Sequence, residues 1–465
     1  MARHEKRSCL VFALVARDAA TKHMQRKNIM KTVLKSAALA AALVQSALAH
    51  NEPAATGADL HTPPTPGVIA VNDFIYQARG IATVNLIVTD AGLVVFDTGT
   101  DVQAAEQRRR LLAEVPQRPV THVILSHAHA DHTGGTPLWL GKNTRIIAHR
   151  EFLKAQDYLA AIELFQWRRN RTLFTYLPEQ PQPHRKIEPD VLVGTERDYE
   201  FTQGGRRFIV RGMPGAEGDD SLTLWLPDER ILLAGDALGP MFPQFPNLYT
   251  MRGEKFRDPL AYVDTLNRLI AMEPEVLVLG HFTPDYASGV IRGRDRIKAG
   301  LSKIRDAVSY VNDQTVAAMN AGKSVEEAIA TIRLPRQLDM TQIHGRVSWA
   351  VRGLWDYYGG WFHFEKTTDL YPVPADAVYP DIAELAGTER LVERAAGFQT
   401  DGKPLHALHL VDIVLAADQR QPAALRIKRE ALESLLAQAR SQTFNNYEIQ
   451  WLQVQLQAIQ RAETR

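Results

Sequence analysis

One stretch of sequence decides the fold: Ile124-Leu125-Ser126-His127-Ala128-His129-Ala130-Asp131-His132-Thr133-Gly134-Gly135. Its three imidazoles and one carboxylate fall within six positions, directly after an apolar run that is typical of a buried strand. Imidazole and carboxylate are ligands that suit zinc and its first-row neighbours. Core packing would explain one histidine with hydrogen-bonded ring nitrogens, but this segment places three histidines beside Asp131. The stretch therefore predicts a metal site at the end of a strand.

Three further apolar runs each end in one polar residue of ligand type. They are Leu93–Phe96 before Asp97, Ile231–Gly235 before Asp236, and Val276–Gly280 before His281. Together with the H-x-H-x-D-H pattern, their order and spacing resemble the metallo-β-lactamase superfamily, which takes metal ligands from the ends of successive strands. The resemblance implies an α+β fold, an αββα sandwich, followed in this chain by an all-helical domain.

Two segments make the resemblance more specific. Most of the superfamily has a histidine in its third motif, whereas Met213–Gly218 offers Glu217, which resembles the alkylsulfatase branch. The block Asn247–Gly253, followed by Arg257 and Asp258, resembles that branch's N-x-Y-T-x-R-G signature, whose arginine holds the sulfate. Later segments resemble the branch's helical dimerisation domain: Val311–Thr315, Met319–Gly322, Leu334-Pro335, Tyr358–Phe362 and Leu370–Pro372.

The resemblance implies a site for two zinc ions per chain, with a metal-bound water or hydroxide as the attacking group. The first ion would take His127, His129 and Glu217, the second Asp131, His132 and His281, with Asp236 bridging both. Asp97 would orient a ligand histidine.

The resemblance also implies the substrate residues. Asp131 and Arg252 are the candidate catalytic residues, because Asp131 holds metal and a guanidinium fork suits a sulfate group. Asn247, Tyr249 and Arg252 are the candidate substrate-binding residues.

The chain departs from the branch at several places. Asp236 stands where the branch has a second glutamate, Pro246 replaces a histidine, and Trp349 replaces a histidine regarded as a proton donor. The segment 165–170 differs in sequence from the corresponding segment of the branch. No part of the chain resembles the branch's sterol-carrier-like domain. Five histidines belong to no pattern and receive no role: His122, His344, His363, His406 and His409.

The N-terminal region predicts export. An alanine-rich apolar stretch ends in Ala47-Leu48-Ala49, an A-x-A cleavage site, so residues 1–49 are interpreted as an extension plus a signal peptide. We therefore expect a periplasmic or secreted protein with no membrane span after cleavage. Removing this segment changes the basic and acidic counts from 54 and 53 to 45 and 51, a net charge of about −6, which argues against a nucleic-acid partner. The single cysteine, Cys9, leaves with it, which excludes thiolate ligands.

The remaining chain is expected to hold two domains, a catalytic domain at 50–290 and a helical dimerisation domain at 291–465. A hairpin is predicted at 85–97, and a capping box at Ser324–Glu327 opens one helix. Residues 155–174 carry aromatics and arginines and are predicted to cap the mouth of the site. The partners expected are an anionic or amphiphilic small molecule and a second copy of the chain.

These observations favour an exported two-zinc hydrolase of alkyl sulfate esters. Two alternatives stay open. In the first, the same metal chemistry serves a lactone, a carboxylic or phosphoric ester or a β-lactam, because Pro246 and Trp349 replace polar residues. A metal-binding protein without turnover is the third hypothesis.

Overall fold

The computed structural model describes residues 67–174, 177–181, 185–215, 217–281 and 289–463, which form two β-sheets and the helices that cover them. The predicted extension and signal peptide, residues 1–49, lie outside the described residues. Among the described residues, no helix is both long and apolar enough to cross a bilayer.

The first sheet has seven strands, arranged in chain order. They are β1 (Val68–Ala70), β2 (Ile75–Ala78), β3 (Val84–Thr89), β4 (Gly92–Phe96), β5 (Val120–Ile124), β6 (Arg145–His149) and β7 (Val191–Val193). Strands β1 to β4 pair antiparallel, and β4 to β7 pair parallel. The predicted hairpin is confirmed as β3 and β4.

The second sheet has six strands in the order β13-β12-β11-β10-β9-β8. They are β8 (Tyr199–Gln203), β9 (Arg206–Gly212), β10 (Leu222–Leu226), β11 (Ile231–Leu233), β12 (Val276–Val278) and β13 (Val290–Arg292). Only β11 and β12 pair parallel in this sheet.

The two sheets pack face to face, and β4 shows why its sequence is continuously apolar. Val94 and Phe96 belong to the cluster shared by both sheets, whereas Leu93 and Val95 belong to the cluster on the outer face. Successive side chains of a strand point to opposite faces, so a strand covered on both sides needs apolar residues at every position.

Helices cover both outer faces, which confirms the predicted αββα sandwich. The first sheet is covered by α1 (Ala104–Glu114), α3 (Thr136–Trp139) and α4 (Phe152–Ala161), while α2 (Ala130–Thr133) precedes α3 and α5 (Glu163–Leu173) follows α4. The second sheet is covered by α6 (Pro259–Ala271) and α7 (Arg294–Asn320), and α8 (Val325–Thr331) and α9 (Val347–Gly359) pack against α7.

The remaining helices lie towards the C-terminus. They are α10 (Tyr379–Ala386), α11 (Thr388–Thr400), α12 (Pro404–Ala417), α13 (Pro422–Gln438) and α14 (Asn446–Glu463). The predicted capping box is confirmed at the start of α8, where Ser324 accepts from the Glu327 amide and the Glu327 carboxylate accepts from the Ser324 amide.

The predicted boundary between 290 and 291 falls inside β13, and apolar packing continues across it. One buried cluster joins Trp225 and Leu266 to Ile304 and Val351. Helix α7 therefore belongs to the outer layer of the sandwich, and α9 packs against α7. The division at 290 and 291 stays a prediction.

Candidate metal centre

The parallel strand pairs bring ligand-type side chains to a common edge. The carboxyl ends of β4 and β5 lead into Asp97 and the histidine cluster, and those of β11 and β12 lead into Asp236 and His281. Gly280 permits the close approach, because a Cβ there would lie 2.3 Å from Asp236 Oδ1. A glycine is therefore required at position 280 for the strand ends to lie this close together.

The first predicted ligand group is assembled in the structure. His127 Nε2 lies 2.9 Å from His129 Nδ1, and His129 Nδ1 lies 3.5 Å from Glu217 Oε1. The ligand atoms of these three residues all lie within 4.8 Å of one another. Burial, together with His132 and His129, lowers the pKa of His127 well below its ordinary value. His127 is therefore neutral and has a lone pair to donate.

The second predicted group is assembled beside the first. Asp131, His132 and His281 also bring their ligand atoms within 4.8 Å of one another. Asp131 Oδ2 lies 3.6 Å from both His132 Nε2 and His281 Nε2. Burial lowers the pKa of His132, but Asp236, Asp131 and Asp97 overcome this and raise it well above its ordinary value.

Asp236 lies between the two groups. Its Oδ2 is 2.9 Å from His281 Nε2 and 3.3 Å from His132 Nε2, and it also forms a ligand group with His127 and His132. Burial opposes ionisation of Asp236, yet His132 and His281 hold its pKa well below its ordinary range. A carboxylate in this place can bridge two cations.

The chemistry of the cluster fits two divalent ions. Three carboxylates and four imidazoles form an oxygen and nitrogen set that zinc accepts. Within the described part of the chain, the buried atoms His132 Nε2 and Asp236 Oδ1 have no aligned hydrogen-bond partner. Buried polar atoms are rarely left unpaired, so both atoms indicate a place for a cation.

Asp97 lies where an orienting residue is needed. Its Oδ2 accepts from His132 Nδ1 at 2.9 Å and from Ser126 Oγ at 2.9 Å, while its Oδ1 accepts from the Ser126 amide at 2.8 Å. The hydrogen bond fixes Nδ1 of His132 as the protonated nitrogen and leaves Nε2 for the cluster. Asp97 is held in the left-handed region at a φ of 59°, a strained conformation of the kind found at functional sites.

A group of two arginines and two glutamates adjoins the first ligand group. Arg252 lies 3.2 Å from Glu217 Oε1 and 3.4 Å from Glu254 Oε1. Arg257 lies 2.8 Å from Glu217 Oε1 and 3.1 Å from Glu254 Oε2. Burial opposes the charge of Arg252, but Glu254 first, and then Tyr447 and Glu217, raise its pKa well above its ordinary value. The arginine expected to meet an anion is thus charged and held beside the metal ligands.

The other two predicted substrate residues differ in their surroundings. Asn247 is buried, and both polar atoms of its side chain have no hydrogen-bond partner among the described residues, which suits a ligand contact. Tyr249 packs against Phe256, with ring centroids 5.2 Å apart, and against Gly353, where a Cβ would lie 2.1 Å from its Cγ. The substrate roles of both residues stay predictions.

His344 was given no role from the sequence, yet the structure brings it to the site. Gln244 pairs with Thr341, and the Phe245 amide donates to the Thr341 carbonyl at 2.9 Å, which joins the two segments. Burial first, then Arg252 and His281, lower the pKa of His344 well below its ordinary value. The ring is therefore neutral, and it lies against the Tyr447 ring, with centroids 5.0 Å apart.

Trp349, which occupies the place of the branch's histidine, packs elsewhere. It lies on α9, and the guanidinium of Arg346 stands 5.8 Å from its ring centroid.

Glu254 and Arg257 also lie in the centre without having been predicted as site residues. Arg257 appeared only as part of a resembling block, and nothing in the order of residues marks Glu254. The available signal was proximity, because both residues follow Arg252 within five positions.

A pocket opens beside this group. Its lining includes Glu217, Glu254 and His129 together with the apolar residues Tyr158, Leu159 and Phe256. The segment predicted to cap the mouth forms α4 and α5. Helix α5 contacts the block around Arg252: Arg169 donates to the Met251 carbonyl at 2.9 Å.

Comparisons with known proteins agree with both halves of the chain. Residues 78–281 match the family model described as metallo-beta-lactamase superfamily, and residues 324–453 match the one described as alkyl sulfatase dimerisation. A linear primary-alkylsulfatase from Pseudomonas sp. is 27% identical over 380 residues, covering 75% of this chain and 69% of the relative. The alkyl/aryl-sulfatase BDS1 of Saccharomyces cerevisiae is 26% identical over 418 residues, covering 82% and 62%.

The fold also has a close match among solved structures. The stereoselective inverting sec-alkylsulfatase Pisa1 from Pseudomonas sp. superposes with a TM-score of 0.74 at 21% identity, over 85% of this chain and 66% of that one. The present chain thus spans about two thirds of the length of these proteins.

Proposed function

Because the chain belongs to the metallo-beta-lactamase superfamily and carries an alkyl sulfatase dimerisation domain, we propose that it is a two-zinc hydrolase of alkyl sulfate esters. The observation that carries the proposal is the contact between two features. A seven-residue nitrogen and oxygen ligand set lies directly against a buried pair of arginines.

The metal ligands would be those of the two groups, with Asp236 shared between them. Zinc ions bound there would supply Lewis acidity and would lower the pKa of water towards neutrality. Asp97 keeps Nε2 of His132 directed at the cluster, and Ser126 lies 3.0 Å from Nδ1 of His127 and does the same for that ring.

The substrate would be held by charge at one end and by apolar contact at the other. Arg252 and Arg257 face the same buried carboxylates and can share a sulfate group once Glu217 serves a metal. Tyr158, Leu159 and Phe256 belong to the pocket lining and would contact an alkyl chain. Arginines and apolar residues at one site support an amphiphilic anion.

A second candidate substrate class has an observation in its favour. Two carboxylates already balance the two guanidinium groups, so the site as a whole is less cationic than the arginines alone indicate. A site with little net charge would bind an uncharged ester or lactone better than an anion. The two classes differ in their dependence on Arg252.

The test is metal content combined with a substrate panel. We expect purified protein to hold two zinc ions per chain, to lose activity on chelation, and to hydrolyse a medium-chain alkyl sulfate faster than a phosphate ester, lactone or β-lactam. His129→Ala should remove most of the activity and lower the zinc content. One ion per chain, or no alkyl sulfate hydrolysis by zinc-loaded protein, would contradict the proposal.

We also propose that the protein is exported and works as a homodimer. Export rests on the Ala47-Leu48-Ala49 site, and N-terminal sequencing of the native protein should begin within a few residues of His50. Retention of Met1 would refute it. The homodimer rests on the alkyl sulfatase dimerisation region at 324–453.

A further inference from the structure

Glu254 is buried at the junction between the first ligand group and the two arginines. Its side chain is 10% exposed, although an unpaired carboxylate prefers water. One oxygen lies 3.4 Å from His129 Nε2 and 3.4 Å from Arg252, and the other lies 3.1 Å from Arg257. The residue therefore contacts three side chains of the site at once.

The two nitrogens of His129 face different partners. Nδ1 faces His127 Nε2 at 2.9 Å and Glu217 at 3.5 Å, which is the first ligand group. Nε2 faces Glu254 at 3.4 Å. A histidine that binds metal through one nitrogen commonly donates the other N–H to a carboxylate, which fixes the ring and raises its basicity.

The arginines need the same carboxylate. Both Arg252 and Arg257 contact Glu217 Oε1, which is also a predicted metal ligand. Once Glu217 serves a cation, Glu254 is the remaining carboxylate within 4.0 Å of either guanidinium in the described part of the chain. Without it two buried cations would stand beside the metal centre with no counter-charge of their own.

We propose that Glu254 is a positioning residue that couples the first metal group to the anion-binding arginines. It accepts the Nε2–H of His129, which directs Nδ1 to the metal, and it holds Arg252 and Arg257 at the same edge. The inference rests on the proposed two-zinc function.

The experiment is a zinc titration of the full-length protein against a chromophoric chelator. Glu254→Ala should weaken one of the two bound ions by about ten- to a hundredfold and leave the other at its wild-type affinity. Glu254→Gln keeps an acceptor for His129 and should weaken that ion less, while the KM for an alkyl sulfate rises because Arg252 and Arg257 lose the carboxylate that holds them in position. The matched control is Glu229→Gln, a partly buried glutamate paired with Arg206 at the β10–β11 turn, which should change neither quantity.

The outcomes separate this inference from the proposed function. If wild-type protein fails to bind two zinc ions, the proposed two-zinc function itself is contradicted. Wild-type protein that binds two, with Glu254→Ala binding both as tightly, would overturn the role of Glu254 alone. Thermal melting of the chelated variants should match chelated wild type, and if the alanine variant does not fold, unchanged zinc affinity and KM in Glu254→Gln overturn the inference.

Discussion

At the scale of the residue, two histidines of the candidate metal centre are fixed by a hydrogen bond to the ring nitrogen that does not face the cluster. His132 uses Nδ1 towards Asp97 at 2.9 Å and keeps Nε2 for the cluster. His127 uses Nδ1 towards Ser126 at 3.0 Å and keeps Nε2. A ring fixed in this way loses little entropy on binding a metal, because its rotamer and tautomer are already selected.

Arg252→Ala should separate the two substrate classes. Loss of a charge-assisted contact costs about 1.5–3 kcal/mol, so kcat/KM for a medium-chain alkyl sulfate should fall about ten- to a hundredfold with an increased KM. Zinc content should remain that of wild type. Steady-state kinetics on a sulfate and on a neutral ester provide the measurement, and equal losses on both substrates would count against sulfate binding by Arg252.

His344→Ala should lower kcat on the preferred substrate. The neutral ring of His344 can donate one hydrogen bond to a substrate, and losing such a bond to a charged group costs about 1.5–3 kcal/mol, roughly ten- to a hundredfold. Trp349→Phe is the control, because Trp349 packs against Arg346 and should affect turnover little. A larger loss from Trp349→Phe than from His344→Ala would contradict this assignment.

At the scale of the element, helix α9 owes its position to small residues as much as to apolar ones. Gly353 lies on α9 where a Cβ would be 2.1 Å from Tyr249 Cγ, and Gly345 precedes α9 where a Cβ would be 2.1 Å from the Pro246 carbonyl oxygen. Both contacts press the segment 341–359 against the block that holds Arg252. The helix can approach this closely only because both residues lack side chains.

Gly353→Ala should therefore destabilise the protein, although alanine favours a helix. The added methyl group should lower the free energy of unfolding by about 1–3 kcal/mol through overpacking, while the higher helix propensity of alanine should raise it by about 1 kcal/mol. Gly397→Ala on α11 is the matched control, since a Cβ there meets nothing within 4 Å. It should stabilise by about 0.5–1 kcal/mol. Urea unfolding of both variants tests the difference, and stabilisation by both would refute the packing argument.

At the scale of the whole molecule, an exposed apolar segment points to a partner. Between 361 and 385, Trp361 is 74% exposed, Phe364 is 88% exposed and Leu385 is 82% exposed. This segment falls within the alkyl sulfatase dimerisation region. Large apolar side chains gathered in one exposed segment indicate an interaction surface, and we expect a second copy of the chain to cover it.

Phe364→Asp combined with Leu385→Asp should convert the dimer into a monomer. A charge placed in a buried apolar interface is costly, so the dimer should weaken by at least about a hundredfold. Light scattering after size exclusion, across a range of concentrations, gives the mass. Leu405→Asp, on α12 and 58% exposed, is the control and should stay dimeric. A double variant with the mass of wild type would place the interface elsewhere.

Much of the fold followed from the sequence because its signals are local. The apolar runs before Asp97, Asp236 and His281 are β4, β11 and β12, and the capping box at Ser324 opens α8. Strand and helix periods act over a few residues, so they can be recognised without knowing what packs against them. The layer to which α7 belongs depends on its contacts with the second sheet, and the place of α9 depends on its packing against α7. No local pattern records these contacts.

The sequence by itself determined the chemistry of the candidate metal ligands, because His127, His129, Asp131 and His132 lie within six positions of one turn. Only the tertiary structure decided which charged and polar groups surround them. His344 reaches the site because its loop pairs with residues 244 and 245, about a hundred positions earlier. Glu254 matters because packing buries it between His129 and Arg257. Burial and long-range pairing are properties of the folded chain, so the sequence alone could not place His344 and Glu254 at the candidate site.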